Sequence, residues 1–297
     1  MNYTLHQLKI LIEVARQKSV TKASEELHMT QPAVSIQLRN FQDQFDIPLF
    51  EVIGKRLFIT DFGNSVVSIA QRIINEAENI RYMSTEFKGL YRGKLKISSV
   101  STGKYVIPYF LNEFLSMHPG IDLELDVSNK KNVIDQLKNN QIDFALVSVP
   151  PEGISTDEVL LMDNELYLIS NQPEINPNAP IIKRELGSAT RTAMESYFKN
   201  TKAGVKSLQL TSNEAVKQAV IAGLGNSILP LIGIRNEINT KQLYIIPSKG
   251  LPIRTSWRLI WRKEKKLSPI ARAYLEFVSE NKKAIEKKYF GELKNPL

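Results

Sequence analysis

The sequence predicts an α/β fold preceded by a small helical head, and three observations carry that expectation. Within the first 60 residues, apolar side chains recur at helical spacing in three short segments, followed by a basic turn. Residues 61–90 then hold one long amphipathic pattern, with neither Gly nor Pro between Gly63 and Gly89. From Gly93 onward strand and helix patterns alternate, the signature of a layered α/β domain.

In the head, Leu8, Leu11, Ile12 and Ala15 make the inner face of a first helix ending near Lys18. Ser19 to His28 is a short second helix with Ala23 and Leu27 inward, and small Ala23 lets two helices cross closely. Thr30 fits the N-cap of a third helix, with Pro32 in the first turn, where its missing N–H costs nothing. Val34, Leu38, Phe41 and Phe45 form one apolar stripe on that helix, and Gln31, Ser35, Arg39 and Gln42 fall opposite. The polar face carries short hydrogen-bonding groups and one cation, the inventory for base edges and phosphates in a major groove. Leu49-Phe50 and Leu57-Phe58-Ile59 then flank Gly54-Lys55-Arg56, a β-hairpin wing with a basic tip. Taken alone, the third segment is an ordinary amphipathic helix of a small bundle. The order of four such elements within 60 residues favours a winged helix-turn-helix on double-stranded DNA instead. The expected DNA-binding residues are Thr30, Gln31, Pro32, Ser35, Arg39, Lys55 and Arg56.

The run SVTKASEELHMTQPAVSIQLRNF followed by PLFEVIGKRLFITDFG resembles the LysR-type transcriptional regulators, and the resemblance extends over essentially the full length. Four positions depart from the family pattern. Ile10 stands near the usual Phe, Phe41-Gln42 replace the usual Leu-Glu, and Val52 replaces an Arg, which removes one cation near the wing. The STGKY, VSNKK, SVPPEG and RELGSATR stretches look most like the branch that regulates carbon-fixation operons and its sulfur-metabolism relatives. That likeness implies a phosphorylated or nucleotide-like effector.

On residues 61–90, Val66, Ala70, Ile73, Ala77, Ile80 and Phe87 keep a heptad rhythm broken only by Ser84. A helix of this length would leave its stripe wet, so it needs cover from its own chain or from a second one. The resemblance implies the second, an antiparallel pairing of linker helices in a dimer or a tetramer.

Beyond Gly93, Leu95, Ile97 and Val100 mark a strand, Val106 to Met117 a helix and Ile121 to Val127 a strand. Asn132 to Asn139 follows as a helix and Ile142 to Val149 as a buried strand, so the βαβαβ series predicts a mostly parallel sheet. A second series runs from Glu158 through Leu166–Ser170, a helix after Ser188, and a helix Glu214–Ala222 ahead of Gly223-Leu224-Gly225. The strand Trp257–Trp261 and the helix Pro269–Ser279 end the pattern. The resemblance implies two α/β lobes like those of a periplasmic binding protein, crossed twice by the chain. The expected domains are residues 1–60 for DNA, 61–92 as a linker and 93–297 for an effector. The first lobe takes about 93–160 and 257–297, the second about 161–256.

Ligands of such sheets bind at strand C-termini, in the cleft between lobes. Ser101-Thr102-Gly103-Lys104 follows the first strand, and Gly187-Ser188-Ala189-Thr190-Arg191 opens a helix in the second lobe. Each offers hydroxyls, a cation and orphan N–H donors at a helix N-terminus, which suits a carboxylate or phosphate. Simple N-capping by Ser101 and Ser188 is the competing account for either segment alone. The expected effector residues are Ser101, Thr102, Lys104, Asn129, Ser188, Thr190 and Arg191, with no metal and no cofactor. An anion is expected to bridge Ser101 and Thr102 to Thr190 and Arg191.

Composition narrows the classes further. The net charge of +8 is a C-terminal feature: residues 249–297 hold 13 Lys and Arg against 5 acids, whereas residues 1–92 hold 11 against 10. The case for DNA therefore rests on local placement rather than on overall charge. With no Cys and only three scattered His, neither thiolate metal sites nor a nucleophile–base pair is available, so no enzyme is expected. Lys9, Glu13 and Arg16 interrupt the first apolar pattern, which excludes a signal peptide there, and no run is long enough to span a membrane. A cytoplasmic protein is expected. An exported solute-binding protein would leave residues 1–60 unexplained, and a ligand-indifferent DNA-binding protein would leave the cleft idle.

Overall fold

The computed structural model describes residues 3–54, 56–86, 93–199 and 206–291. Lys55 and Phe87 lie outside them. The chain divides into two compact units, one of residues 1–91 and 139–141 and one of residues 92–138 and 142–297.

In the N-terminal unit, α1 (Leu5–Gln17) opens with a capping box. Thr4 Oγ1 accepts from the Gln7 N–H, and Gln7 Oε1 accepts from the Thr4 N–H. The helix ends at Lys18, which turns left-handed at φ 51°. Ser19 caps α2 (Val20–Glu26) and Thr30 caps α3 (Gln31–Gln42), with Pro32 in its first turn. The wing follows as β1 (Phe50–Ile53) antiparallel to β2 (Arg56–Ile59), and the unit closes with α4 (Asp61–Glu86).

Two differences from the sequence expectation concern α1 and α4. Because α1 lies in the middle of the unit, it buries two faces rather than one. Leu8 and Leu11 join Phe41, Leu49, Ala70 and Ile74, whereas Ile10 and Val14 join Ala23 and Val34. Ala15 is only half-buried. The stripe of α4 divides: Ala70 and Ile74 are buried in the same-chain core, with Val66 and Ile73 packed beside them. Ile80, further along the helix, is 72% exposed. Own-chain packing thus covers the first half of the stripe. Gly63 is required at the start of α4, since a Cβ there would run into the Leu49 carbonyl oxygen.

The second unit contains β3 (Gly93–Val100), α5 (Ile107–Met117), β4 (Ile121–Ser128), α6 (Lys130–Lys138) and β5 (Phe144–Val147). It continues through β6 (Thr156–Ser170), β7 (Ile181–Arg184), α7 (Ala189–Phe198), β8 (Ser207–Leu210) and α8 (Asn213–Ile221). The last elements are β9 (Ser227–Pro230), α9 (Arg235–Asn239), β10 (Tyr244–Ile245), β11 (Ile253–Arg262) and α10 (Pro269–Phe290). Strands β3, β4 and β5 pair in parallel, as the βαβαβ pattern requires. The sheet as a whole is mixed rather than mostly parallel: β11 pairs antiparallel with both β5 and β6, and β9 and β10 pair antiparallel with β6. The reason is topological. The chain leaves the first lobe on β6 and returns on β11, and two neighbouring crossings made in opposite directions must pair antiparallel.

That pairing runs from Ile253 opposite Leu166 to Arg262 opposite Thr156, so the two strands pass through both lobes. The expected lobe boundaries at 160/161 and 256/257 therefore fall inside continuous strands. Helix α10 extends to Phe290, beyond the expected end at Ser279, because Val278, Ile285 and Phe290 stay buried along its inner side. Gly223 caps the turn after α8 at φ 78°, as its place after a helix suggests.

Candidate functional site

On α3 the buried residues are Val34 and Phe41, and the outward positions are Gln31, Pro32, Ile36, Arg39 and Asn40, with Ser35 half-buried. Thr30 Oγ1 accepts from the Ala33 N–H, and Gln31 Nε2 donates to Ser35 Oγ at 2.9 Å. Thr30 and Pro32 thus shape the helix start, while Gln31, Ser35 and Arg39 share the outer face. Arg56 is exposed at the first position of β2.

Gln42 does not belong to that outer face. Its Oε1 accepts from the Leu49 N–H at 2.6 Å, and its Nε2 donates to the Ile47 carbonyl at 3.2 Å. The side chain therefore ties the end of α3 to the loop leading into the wing. Ile36 was not anticipated on the outer face. An apolar residue carries no mark of an outward, groove-facing position in the periodicity alone.

In the second unit the segment after β3 is a tight 3-10 turn over Ser101–Tyr105, and α5 begins only at Ile107 without a side-chain cap. The helix that opens at Ser101 is therefore a separate 3-10 helix and not the start of α5. Thr102 is buried, and Lys104 is exposed with its ammonium 4.9 Å from the centre of the Tyr105 ring. Asn129 accepts from the Asn132 N–H and so serves the start of α6 as a turn residue.

Across the cleft, Ser188 stands at the N-cap of α7 yet makes no side-chain cap bond, and Ser188 and Thr190 are both buried. Arg191 is committed elsewhere. Its Nε donates to Glu195 at 2.8 Å, and its Nη1 donates to the Arg184 carbonyl at 2.9 Å and to Gln209 Oε1 at 2.6 Å. These bonds tie Arg191 to its own lobe, through a neighbouring acid and two oxygens around α7. The cation that reaches the first lobe is Arg184, at the end of β7: its guanidinium lies 3.4 Å from Ser101 Oγ and is paired with Glu185 at 2.7 Å. The sequence signal was available, since Arg184 ends a short apolar strand just before the Gly187-Ser188 turn, the position where ligands of α/β sheets gather.

A cavity of about 460 Å³ lies in the same unit, bounded by Lys130 and Val149 on one side, Ala189, Thr192 and Tyr197 of α7 on the other, and Thr255 of β11. It meets the first turn of α7 and one ammonium. A second cavity of about 430 Å³ is lined by Asp163, Glu165 and Glu286 with Arg254, a balance that disfavours an anion.

The lobes are also linked by Tyr105, whose hydroxyl donates to Glu214 at 3.2 Å, and Lys217 bridges Glu214 at 3.1 Å and Glu237 at 2.7 Å. Burial raises the Tyr105 phenol above its ordinary value, and the Glu214 carboxylate adds to the rise. Burial alone would lower Lys217, but its two carboxylate partners hold it above the ordinary lysine value. Burial would raise Glu214, but donation from Gln218 and Lys217 holds it below the usual carboxylate value.

A winged helix-turn-helix joined to a two-lobed α/β domain with a polar cleft defines a ligand-responsive regulator. Residues 5–64 match the bacterial regulatory helix-turn-helix proteins of the lysR family, and residues 88–283 match the LysR substrate binding domain. The chain belongs to the LysR family of transcriptional regulators. It is 37% identical over 292 residues to a RuBisCO operon transcriptional regulator of Allochromatium vinosum, covering 94% of this chain and 96% of that one. It is 31% identical to the Synechocystis CcmR regulatory domain, solved in complex with 2-PG; the TM-score is 0.60, with 65% of this chain and 98% of that one covered. Full-length OxyR of Pseudomonas aeruginosa shares the fold, at a TM-score of 0.72 and 20% identity, with 95% of each chain covered. The affinity to the carbon-fixation branch thus stands.

No helix among the described residues is long and apolar enough to cross a membrane.

Proposed function

We propose that this chain is a cytoplasmic regulator that binds double-stranded DNA through α3 and the wing and is switched by a small anion held between its two lobes. The observation that carries the reading is Arg184, a nearly buried cation of the second lobe whose guanidinium meets Ser101 of the first. An anion inserted between these groups would accept charge-assisted bonds from Arg184 and a bond from the Ser101 hydroxyl, with Ser188, Thr190 and the first N–H groups of α7 close in sequence. Thr102, Lys104 and Asn129 would then serve as wall, rim and turn. The 2-PG complex of a 31% identical regulatory domain supports an anion of this kind. Such a ligand shifts the lobes only if it binds one lobe angle better than another.

We further propose that the chain works as a dimer or tetramer, which would set two recognition helices on one operator. Ile80, bare on α4, supports an interface there. The test is calorimetry with 2-PG and with inorganic phosphate on the full chain. Saturable binding of 2-PG that alters operator affinity supports the switch, whereas operator binding indifferent to every anion tried would reduce the protein to a ligand-independent DNA binder.

A further inference from the structure

We propose that Ile36 is a specificity-determining residue that reads the 5-methyl group of a thymine in the major groove. The inference rests on the DNA-binding reading above. Ile36 is 57% exposed in the middle of α3, although it is among the most apolar side chains of the unit. Pro32, Ser35, Ile36 and Arg39 follow the three-one-three spacing of a single helical face, opposite buried Val34 and Phe41.

Its surroundings discriminate between possible partners. A protein-docking surface needs a contiguous apolar patch. Ile36 is instead flanked on its helix by Gln31, Ser35, Arg39 and Asn40, all able to hydrogen-bond. A lone apolar group within a hydrogen-bonding face matches the edge of an A·T pair, where a methyl group projects beside one acceptor, one donor and N7. Ile36 is also β-branched, so in a helix its χ1 is held in essentially one rotamer. Its methyl groups are therefore already positioned, and little side-chain entropy is lost on contact. Gln31 and Ser35 supply hydrogen bonds to base edges, and Ile36 supplies the one feature of thymine that hydrogen bonds cannot recognise.

The test uses the full chain and a duplex selected by it from a randomised pool, with each thymine of the selected site replaced singly by deoxyuridine, which lacks only the methyl. We expect one thymine per half-site whose replacement weakens wild-type binding about fourfold, the value of burying one methyl-sized group. Ile36→Ala should bind the thymine duplex more weakly by a similar factor and should be indifferent to deoxyuridine at that position. Ile36 is exposed, so the variant keeps its fold, and a melting curve verifies this. The proposal is overturned if no thymine methyl matters to the wild type, if the methyl effect persists in Ile36→Ala, or if the variant loses affinity equally for both duplexes. A chain that selects no duplex at all overturns the DNA-binding reading together with this one.

Discussion

The guanidinium of Arg184 lies 3.4 Å from the hydroxyl of Ser101, 83 positions earlier in the chain, and the contact joins the end of β7 to the turn after β3. It connects the two walls of the cleft through a cation and a hydroxyl, the pair an anion would have to satisfy or displace. Arg191, seven residues further on, has its donors turned back into its own lobe.

These two arginines should therefore fail in different ways. Arg184→Gln should lose about 1.5–3 kcal/mol of anion affinity, the range for hydrogen bonds to charged groups. Arg191→Ala should lower the melting temperature of the effector domain and leave the anion affinity unchanged. Calorimetry with 2-PG and a melting curve on each variant separate the two, and a reversed pattern would return the ligand to Arg191.

Gln42 should behave as part of the scaffold. Gln42→Ala leaves the Leu49 N–H without its acceptor, at a cost of about 1–3 kcal/mol to the N-terminal unit. Binding should weaken through unfolding, with the ranking of operator sequences intact. Gln31→Ala should instead relax sequence preference and cost about 1–3 kcal/mol at the best site, with melting unchanged. Competition binding with mutated operators checks both.

Along α4, position decides the outcome of a charge. Ala70→Asp places a carboxylate in the same-chain core and should unfold the N-terminal unit. Ile80→Asp should leave the monomer folded while dissociating the oligomer. Sedimentation combined with circular dichroism measures the two effects, and an Ile80→Asp protein of unchanged mass would place the interface elsewhere.

The cluster of Tyr105, Glu214, Lys217 and Glu237 should give the effector domain an acid-sensitive limb. Glu214 is held below its ordinary 4.5 in the folded chain, so its contribution is present above that value and fades as pH falls through the folded one. Lys217 is held above its ordinary 10.5, so its contribution is complete below that value and is lost only as pH rises through the folded one. Melting curves from neutral pH down through the carboxylate range should therefore fall less steeply for Glu214→Gln than for wild type. Identical slopes would show that the acid limb arises elsewhere.

The sequence by itself determined the head and the order of its elements. Caps such as Thr4, Ser19 and Thr30 act within three residues, and the Val34 and Phe41 stripe and the Gly54 turn are equally short-range. Short-range spacing carries such features completely. The alternation of β3, α5, β4, α6 and β5, which the parallel pairing follows, was legible for the same reason.

Tertiary structure decided what each long side chain does. Gln42 carries the periodicity of a DNA-reading residue, yet Leu49, seven positions on, claims it. Arg191 has the sequence position of a ligand cation, yet Glu195 and Gln209 hold it, while Arg184 at the end of a strand reaches Ser101. The sheet became mixed because β6 and β11 cross the lobes side by side, a pairing between segments some 90 positions apart, as in Asn164 against Thr255. A flexible side chain or a returning strand is placed by whichever partner the fold brings within hydrogen-bond distance, and no local spacing encodes that partner.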